Sequence, residues 1–445
     1  MRAGALLVAA AALVLVAPAG ADRPLVLAGG TVIDGFGNPP LHNGVIVMQG
    51  ERITAVGTVD TVALPPDAEV VSTEGMTVLP GLWDLQVHLD RLGHGDERRW
   101  RETYVPIAER VVMPLAAAQL LQAGVTSARA MPAPLRASVS VRDRIRDRRI
   151  PGPTLFVTGP RLGKTVEPGA EAWQWKVEDA KEGRARVQRL AAAGADYVML
   201  AELDLWAEDE LAAVVDEARL RGIKVFARGE RAAGIERGLA AGVAGFVGLD
   251  LGAAAGIPQE TMGAITARAR DTTRRPLSWS PGISGVLNYE DLRRNPEPLD
   301  DPGALAGLPP LVAADILASL RQIERVTWYG MPAARAPTLC TKLRQLELAG
   351  LRLALGSDSG APAHLHTRAA WQEVDYWVNG CGLDPLLAIQ AATHEAAAAM
   401  GVEHESGTLT PGKYADVIAV RGDLLRTPAL LQRVDIVIRH GQRHR

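Results

Sequence analysis

Two short stretches, far apart in the chain, carry side chains that can activate water: Gln86-Val87-His88 and Gly356-Ser357-Asp358. Imidazole and carboxylate move protons near neutral pH, and around a divalent cation they lower the pKa of a bound water to about 7. His94 follows soon after His88, and His364-Leu365-His366 follows Asp358 with the one-residue spacing of a chelating pair. On neighbouring strands, His88, His94, Asp358, His364 and His366 could gather into a metal site. As loop histidines they would make ordinary hydrogen bonds instead. No histidine occurs from Gly95 to Ala363, so nothing in that interval can add an imidazole. Arg228 lies within it, and a guanidinium stays charged at any practical pH. Beside Asp358 it would repel a metal ion and pair with the carboxylate. Chemistry without metal would then use Asp358 or His88 as general base and Arg228 to stabilise an oxyanion.

These residues need strand ends on one face of a sheet to bring them together. The middle of the chain supplies the pattern. Strand candidates are 78–88, 125–130, 154–158, 197–200, 224–227, 245–249, 276–280 and 351–357. Helix-like stretches at 105–123, 177–193, 207–221, 259–270 and 338–349 alternate with them. Such alternation predicts a parallel sheet with crossover helices, closed into an α/β (β/α)8 TIM barrel over residues 77–406. Asp384-Pro385 opens a further helix, with Asp as N-cap and Pro at the first helical position. Residues 22–76 and 407–445 are rich in β-branched runs bounded by Gly, Asp and Asn, which predicts a small β-sandwich built from both chain ends.

Other residues admit two readings each. Trp173 and Trp175 line a pocket or cap the barrel rim. The Pro- and Gly-rich stretch 281–336, with Tyr289, Trp328 and Tyr329, is a lid-like insertion over the active face or a surface excursion with one packed helix. Arg142 to Arg149 alternates bases with acids and reads as the solvated face of an outer helix rather than a polyanion patch. Gly163-Lys164-Thr165 lacks the opening glycine of a phosphate loop.

Bulk properties set outer bounds. Of 445 residues, 47% are hydrophobic and 22% charged, as in a globular protein with a large core. The net charge of −3 gives no case for nucleic-acid binding. Arg2, the apolar run Ala3–Val16 and Ala19-Gly20-Ala21 read as a signal peptide over residues 1–21, too short to span a bilayer comfortably. Export to the periplasm or medium, with no membrane attachment after cleavage, is the expectation. An oxidising compartment lets Cys340 and Cys381 pair, though two buried thiols are equally compatible with the sequence.

The strand-end motifs, with Pro80-Gly81-Leu82-Trp83-Asp84, Leu121-Gln122-Ala123-Gly124-Val125-Thr126, Gly356-Ser357-Asp358 and the tail Gly407-Thr408-Leu409-Thr410-Pro411-Gly412-Lys413, resemble the amidohydrolase superfamily. The likeness is strongest to its imidazolonepropionase-like and Xaa-Pro dipeptidase-like branch and covers nearly the whole mature chain. It implies zinc or a similar metal, and hydrolysis of carbon–nitrogen bonds. It also implies metal ligands where this chain has Gln86, Met199, Arg228 and Gly248, none of which is a good ligand. Only His88 and Asp358 remain of the family set, and two ligands do not hold a catalytic zinc.

Three readings follow. The chain is a C–N hydrolase with a metal site rebuilt from His88, Asp358, His364 and His366; or a pseudoenzyme that binds a small ligand or a protein partner; or a metal-free acid–base hydrolase using Asp358, His88 and Arg228. A divalent metal and no metal are both compatible with the residues, a small molecule is the expected ligand, with Trp173, Trp175 and Tyr329 as candidate contacts, and the oligomeric state is open.

Overall fold

The computed structural model describes residues 23–249, 251–295, 302–322 and 332–445. The expected signal peptide, Trp328 and Tyr329 lie outside the described residues.

The chain starts with five strands: β1 (Leu25–Val32), β2 (Leu41–Gln49), β3 (Arg52–Thr58), β4 (Glu69–Ser72) and β5 (Met76–Pro80). Ten short parallel strands follow. They are β6 (Leu82–Val87), β7 (Val125–Ala130), β8 (Thr154–Phe156), β9 (Arg161–Gly163), β10 (Gln174–Lys176), β11 (Tyr197–Leu200), β12 (Lys224–Arg228), β13 (Gly245–Val247), β14 (Ser278–Ser280) and β15 (Arg352–Leu353). The last three strands, β16 (Val417–Arg421), β17 (Ile436–Arg439) and β18 (Gln442–Arg443), return to the beginning of the chain.

The sequence predicts one strand over 78–88, but the chain divides it at Gly81. β5 joins the end sheet beside β1 and β16, while β6 opens the parallel region. Gly81 sits so close to Thr126 that a Cβ there would lie 2.2 Å from its hydroxyl, and the backbone turns from one sheet to the other at this point.

Both chain ends do meet, in one eight-stranded sheet ordered β18-β17-β16-β5-β1-β2-β3, with β4 on β1. The described residues do not show the expected two-sheet sandwich. One face of this sheet buries Leu27, Ile46, Val78, Val417 and Ile438 together, and its other face carries a smaller cluster of Val26, Val45 and Val47.

The parallel strands form an α/β region in which helices such as Ala180–Ala192, Glu208–Leu220, Ala232–Ala241 and Gln259–Arg270 alternate with strands. They fall into a seven-stranded sheet, β10-β9-β11-β12-β13-β14-β15, and a three-stranded one, β6-β7-β8, rather than one closed ladder. Single backbone bonds join the two: Leu85 N to Leu355 O (2.9 Å), His88 N to Ser359 O (2.8 Å) and Asp196 N to Val157 O (2.7 Å). Asp384 caps the helix Pro385–Ala391 as its sequence predicts, accepting from Leu386 N and Leu387 N. The arginine-rich run ends the outer helix Leu135–Arg146, with Ile145 buried and Arg142 paired to Asp196. No single helix among the described residues is long and apolar enough to cross a membrane.

Cys340, in the helix Pro332–Leu348, forms a disulfide with Cys381 across 41 residues. The question the sequence left open is settled in favour of the bond. Closing a loop of that length removes unfolded-state entropy worth up to about 4 kcal/mol. Replacing both cysteines with serine is therefore expected to lower the melting temperature by several degrees under oxidising conditions. Calorimetry of the two proteins, with and without reductant, checks this: reductant should lower the wild-type transition and leave that of the double variant in place.

Candidate functional site

The site is built on the C-terminal ends of β6 and β12 and on the turn after β15. Asp358 occupies that turn in the left-handed region, at φ +63°, where a non-glycine residue is uncommon and strained. Its Oδ1 receives Gln86 Nε2 at 2.8 Å and lies 3.0 Å from His88 Nε2. Burial works against its negative charge, but the His88 hydrogen bond and charge, the Arg228 guanidinium and the Gln86 amide outweigh it. They hold the carboxyl well below the usual carboxylate range. His88 Nδ1 has no hydrogen-bond partner among the described residues, and His88 lines the cavity above.

A second carboxylate fixes the floor. Asp84 is fully buried on β6 and accepts from Gln86 N (3.0 Å) and Ser357 N (2.9 Å), so it ties β6 to the Asp358 turn. Burial raises its pKa to about 6, against the hydrogen bonds from Ser357 and Gln86. Beneath it, Arg129 is buried across the face of Phe226, 4.2 Å from the ring centroid, and donates to Leu85 O and Ser280 Oγ. Burial lowers its pKa to about 10.

The pair with chelating spacing is used differently. His366 Nε2 lies 2.8 Å from Arg91 O and Nδ1 lies 3.1 Å from Ser359 Oγ, so both ring nitrogens are engaged. His364 Nε2 lies 3.1 Å from Ser284 Oγ, which donates to Ser357 O at 3.0 Å. Both rings are buried, and burial lowers both pKa values to about 4. These histidines brace the Asp358 turn from behind. His94 is tied to Asp96 N and Asp315 and packs against Trp100 and Tyr104. Geometry thus corrects the expected ligand set. His88 and Asp358 meet, His364 and His366 do not join them, and no three His, Cys, Asp or Glu side chains among the described residues converge on one point.

The donor set does not fit the metal that the family resemblance implies. Gln86 directs an amide N–H at the Asp358 oxygen a cation would need. Arg228, at the end of β12, brings positive charge to Asp358 and donates from Nε to Glu230 Oε1 at 2.5 Å. Met199 is buried on β11 and offers only a thioether, and Gly248 offers no side chain.

Above this floor lies a cavity of two lobes that share His88, Arg91, Arg161, Glu167, Gln174 and Arg228. The larger, about 580 Å³, reaches Asp358, Pro281, Val286, Tyr289 and Arg335; the smaller, about 170 Å³, runs toward Asp90, Trp100 and Trp173. Trp173 therefore does line the cavity, its Nε1 donating to Asp90 Oδ2 at 2.6 Å. Trp175 does not. Successive residues of β10 point to opposite faces, so Gln174 enters the cavity while Trp175 lies outside against Arg186 and Arg189, 5.1 and 4.7 Å from its ring. Tyr329 lies outside the described residues. The Gly-Lys-Thr stretch binds its own chain, with Lys164 N and Thr165 N both donating to Glu202.

Sequence reasoning missed Asp84, Asp90, Ser284 and Glu373. Glu373 is fully buried and accepts from Ile283 N (3.1 Å), Ser284 N (2.6 Å) and Trp377 Nε1 (2.8 Å). It caps the helix Ser284–Arg294, whose Gly285 packs so closely on Asp358 that a Cβ would lie 3.1 Å from it. An acid inside an otherwise apolar helical face, Ala369-Ala370-Trp371-Gln372-Glu373-Val374, was the available signal.

A sequence model of the amidohydrolase family matches residues 328–443. Among curated proteins, the adenine deaminase of Ruegeria pomeroyi is 32% identical over 135 residues, 29% of this chain and 21% of that protein. The adenine deaminase of Ruegeria sp. is 45% identical over 62 residues, 14% of this chain and 9% of that protein. This chain thus spans only between 9% and 21% of the length of the curated relatives it matches. Among solved structures, a Xaa-Pro dipeptidase with bound methionine superposes with a TM-score of 0.73 at 20% identity, covering 95% of this chain and 100% of that one. A putative prolidase from Bifidobacterium longum gives 0.70 at 24%, covering 95% of both chains. The A. niger ochratoxinase gives 0.71 at 20%, also covering 95% of both. The resemblance to the amidohydrolase superfamily, read first from strand-end motifs, holds in both sequence and fold.

The pKa of Glu373 is raised by burial to about 7, against the hydrogen bonds it accepts. A raised acid stabilises the fold below its unfolded pKa, and that contribution is lost as pH rises through the folded value. Stability should therefore fall between about pH 4.5 and 7, by on the order of 2–3 kcal/mol from this group. Glu373→Gln should flatten that fall, as urea titrations across the window would show. An unchanged slope in the variant would mean Glu373 is ionised throughout.

Proposed function

We propose that this chain is a carbon–nitrogen hydrolase of the amidohydrolase kind that works without a resident metal, using His88 and Asp358 as an oriented acid–base pair. The observation that carries the proposal is the shared Asp358 Oδ1, 2.8 Å from Gln86 Nε2 and 3.0 Å from His88 Nε2. The general base is the uncharged form of His88, in which Nε2–H is directed at Asp358 and the lone pair lies on Nδ1. That nitrogen takes a proton from water as the water oxygen bonds to the substrate carbon. Arg228 bears on the oxyanion that forms, and the imidazolium returns the proton to the nitrogen as the C–N bond breaks. Relatives named adenine deaminase, and structures named prolidase and dipeptidase, support a C–N bond as the target.

The active-face geometry is what a (β/α)8 barrel provides, and we read the two parallel sheets as one such barrel. The bonds from Leu85 to Leu355 and from Asp196 to Val157 support this. Pro281, Tyr289 and Arg335 line the larger lobe, which supports reading the described residues on either side of it as a lid-like insertion. The Cys340–Cys381 bond supports an exported protein in an oxidising compartment.

A second reading is a ligand-binding protein without turnover. It is favoured by Met199, an inert thioether where the family resemblance implies a charged bridging ligand.

Assays on small amides, dipeptides and amino-heterocycles separate these readings. The hydrolase reading expects turnover indifferent to chelators, with Asp358→Asn and Arg228→Ala each lowering kcat/KM by about 10²–10³. Stoichiometric bound metal, with activity lost on chelation, would overturn it. Saturable binding without product would leave the binding-protein reading.

A further inference from the structure

Arg161 and Gln174 sit side by side as register partners of the parallel pair β9–β10, and each borders both lobes of the cavity. Side chains alternate along a strand. Leu162 accordingly turns into the core, while the half-buried Arg161 turns to the cavity.

The Arg161 guanidinium forms no hydrogen bond or close ion pair among the described residues. Glu202 attracts it through space, but the Glu202 carboxylate is taken by Lys164 N, Thr165 N and Thr165 Oγ1. Other arginines of the cavity are answered: Arg91 and Arg101 by Glu97, and Arg228 by Glu230. Glu167 also borders both lobes, but it is exposed and makes no close ion pair with Arg161. Gln174 Oε1 accepts from Glu167 N at 3.0 Å. A backbone N–H must meet an oxygen, so this bond fixes the amide and leaves Gln174 Nε2 as a donor with no acceptor among the described residues.

A guanidinium presents its N–H groups as a planar fork that matches two carboxylate oxygens, and such charge-assisted bonds are about twice as strong as neutral ones. One cation beside one neutral amide matches a single negative charge spread over two oxygens. A phosphate dianion would bring a second charge into a wall that already holds Glu167.

We propose that Arg161 and Gln174 form a subsite for a carboxylate carried by the substrate. The inference rests on the cavity being the substrate site, and it assigns a substrate class to it. His88 and Arg228 border the same two lobes, so a molecule held by its carboxylate at Arg161 keeps its remainder in the space that His88 lines. Arg161 is a specificity determinant and takes no part in proton transfer.

The test uses benzoate and its neutral counterpart benzamide as probes of the full chain, with affinities measured by calorimetry in buffer free of carboxylates and phosphate. Wild-type protein should bind benzoate about tenfold or more tighter than benzamide. Arg161→Gln should remove that preference while benzamide binds as before, and Arg161→Lys, which keeps the charge but not the fork, should restore part of it. Gln174→Glu should also remove it, by repulsion. Equal affinity for the two probes on wild-type protein, or binding of neither, would overturn the proposal, and this comparison needs no variant to fold. A preference that survives both Arg161→Gln and Gln174→Glu would overturn it too, because the carboxylate would then sit on another cation of the cavity. Failure of the hydrolase reading looks different: the preference for benzoate persists and follows Arg161 while no substrate is turned over.

Discussion

A carboxylate cannot sit at the end of a buried strand without compensation, and the architecture of this cavity follows from how Asp358 is compensated. Desolvating an ionised carboxyl costs several kcal/mol. Here the charge is met by an amide N–H from Gln86, the His88 ring and the Arg228 guanidinium, each delivered from the end of a different strand or a neighbouring position on one strand. The same demand explains the strained backbone. At φ +63° Asp358 turns its carboxyl back toward β6, and the surrounding contacts over-determine that conformation.

Those contacts form a nested set. Asp84 holds Ser357, Ser357 O receives Ser284 Oγ, and Ser284 meets His364. Gly360 N donates to His364 O, while His366 spans from Ser359 to Arg91. Glu373 in turn fixes the first amides of the helix that carries Ser284. The polar groups of this layer are buried and mostly satisfied among themselves, which rigidifies the turn. Exceptions include Gln86 Oε1, Asp90 Oδ1 and His364 Nδ1, each buried without a partner among the described residues.

Strand positions and helix periodicity were legible because buried parallel strands read as apolar runs and outer helices keep a 3.6-residue stripe. Asp384 was legible as a cap because capping is local chemistry. The split at Gly81 was not, since it depends on Thr126 approaching from another strand. Within the site, His88, Asp358 and Arg228 could be read from their place at strand ends. The roles of His364 and His366 could not: one-residue spacing in a turn does not put two rings on one side, and here Ser284 and Arg91 O claim them. The outward face of Trp175 follows from alternation along a strand of only three residues, Gln174–Lys176, too short to announce itself. Asp90 looks like an ordinary acid in the sequence and only burial distinguishes it, whereas Glu373 is marked only by its place in a largely apolar helical run.

The departures from the family pattern are consistent with one another when charge is counted. A metal centre concentrates positive charge, and the ligands around it supply negative charge to match. In this chain both halves are reduced together. Met199 brings no charge, Gln86 brings a neutral donor in place of an imidazole, and Gly248 brings nothing. What remains is one carboxylate, Asp358, facing one guanidinium, Arg228, which is itself held by Glu230. Restoring a histidine at position 228 alone would leave Asp358 with Gln86 and His88 as its only partners. With His88 and Asp358 it would reach the three protein ligands that a catalytic zinc takes, yet Gln86 would still direct its amide N–H at the Asp358 oxygen. The substitutions therefore act as a set. Any one of them in a metal site would be damaging, whereas together they leave a balanced, hydrogen-bonded floor beneath a cavity that stays open to a ligand.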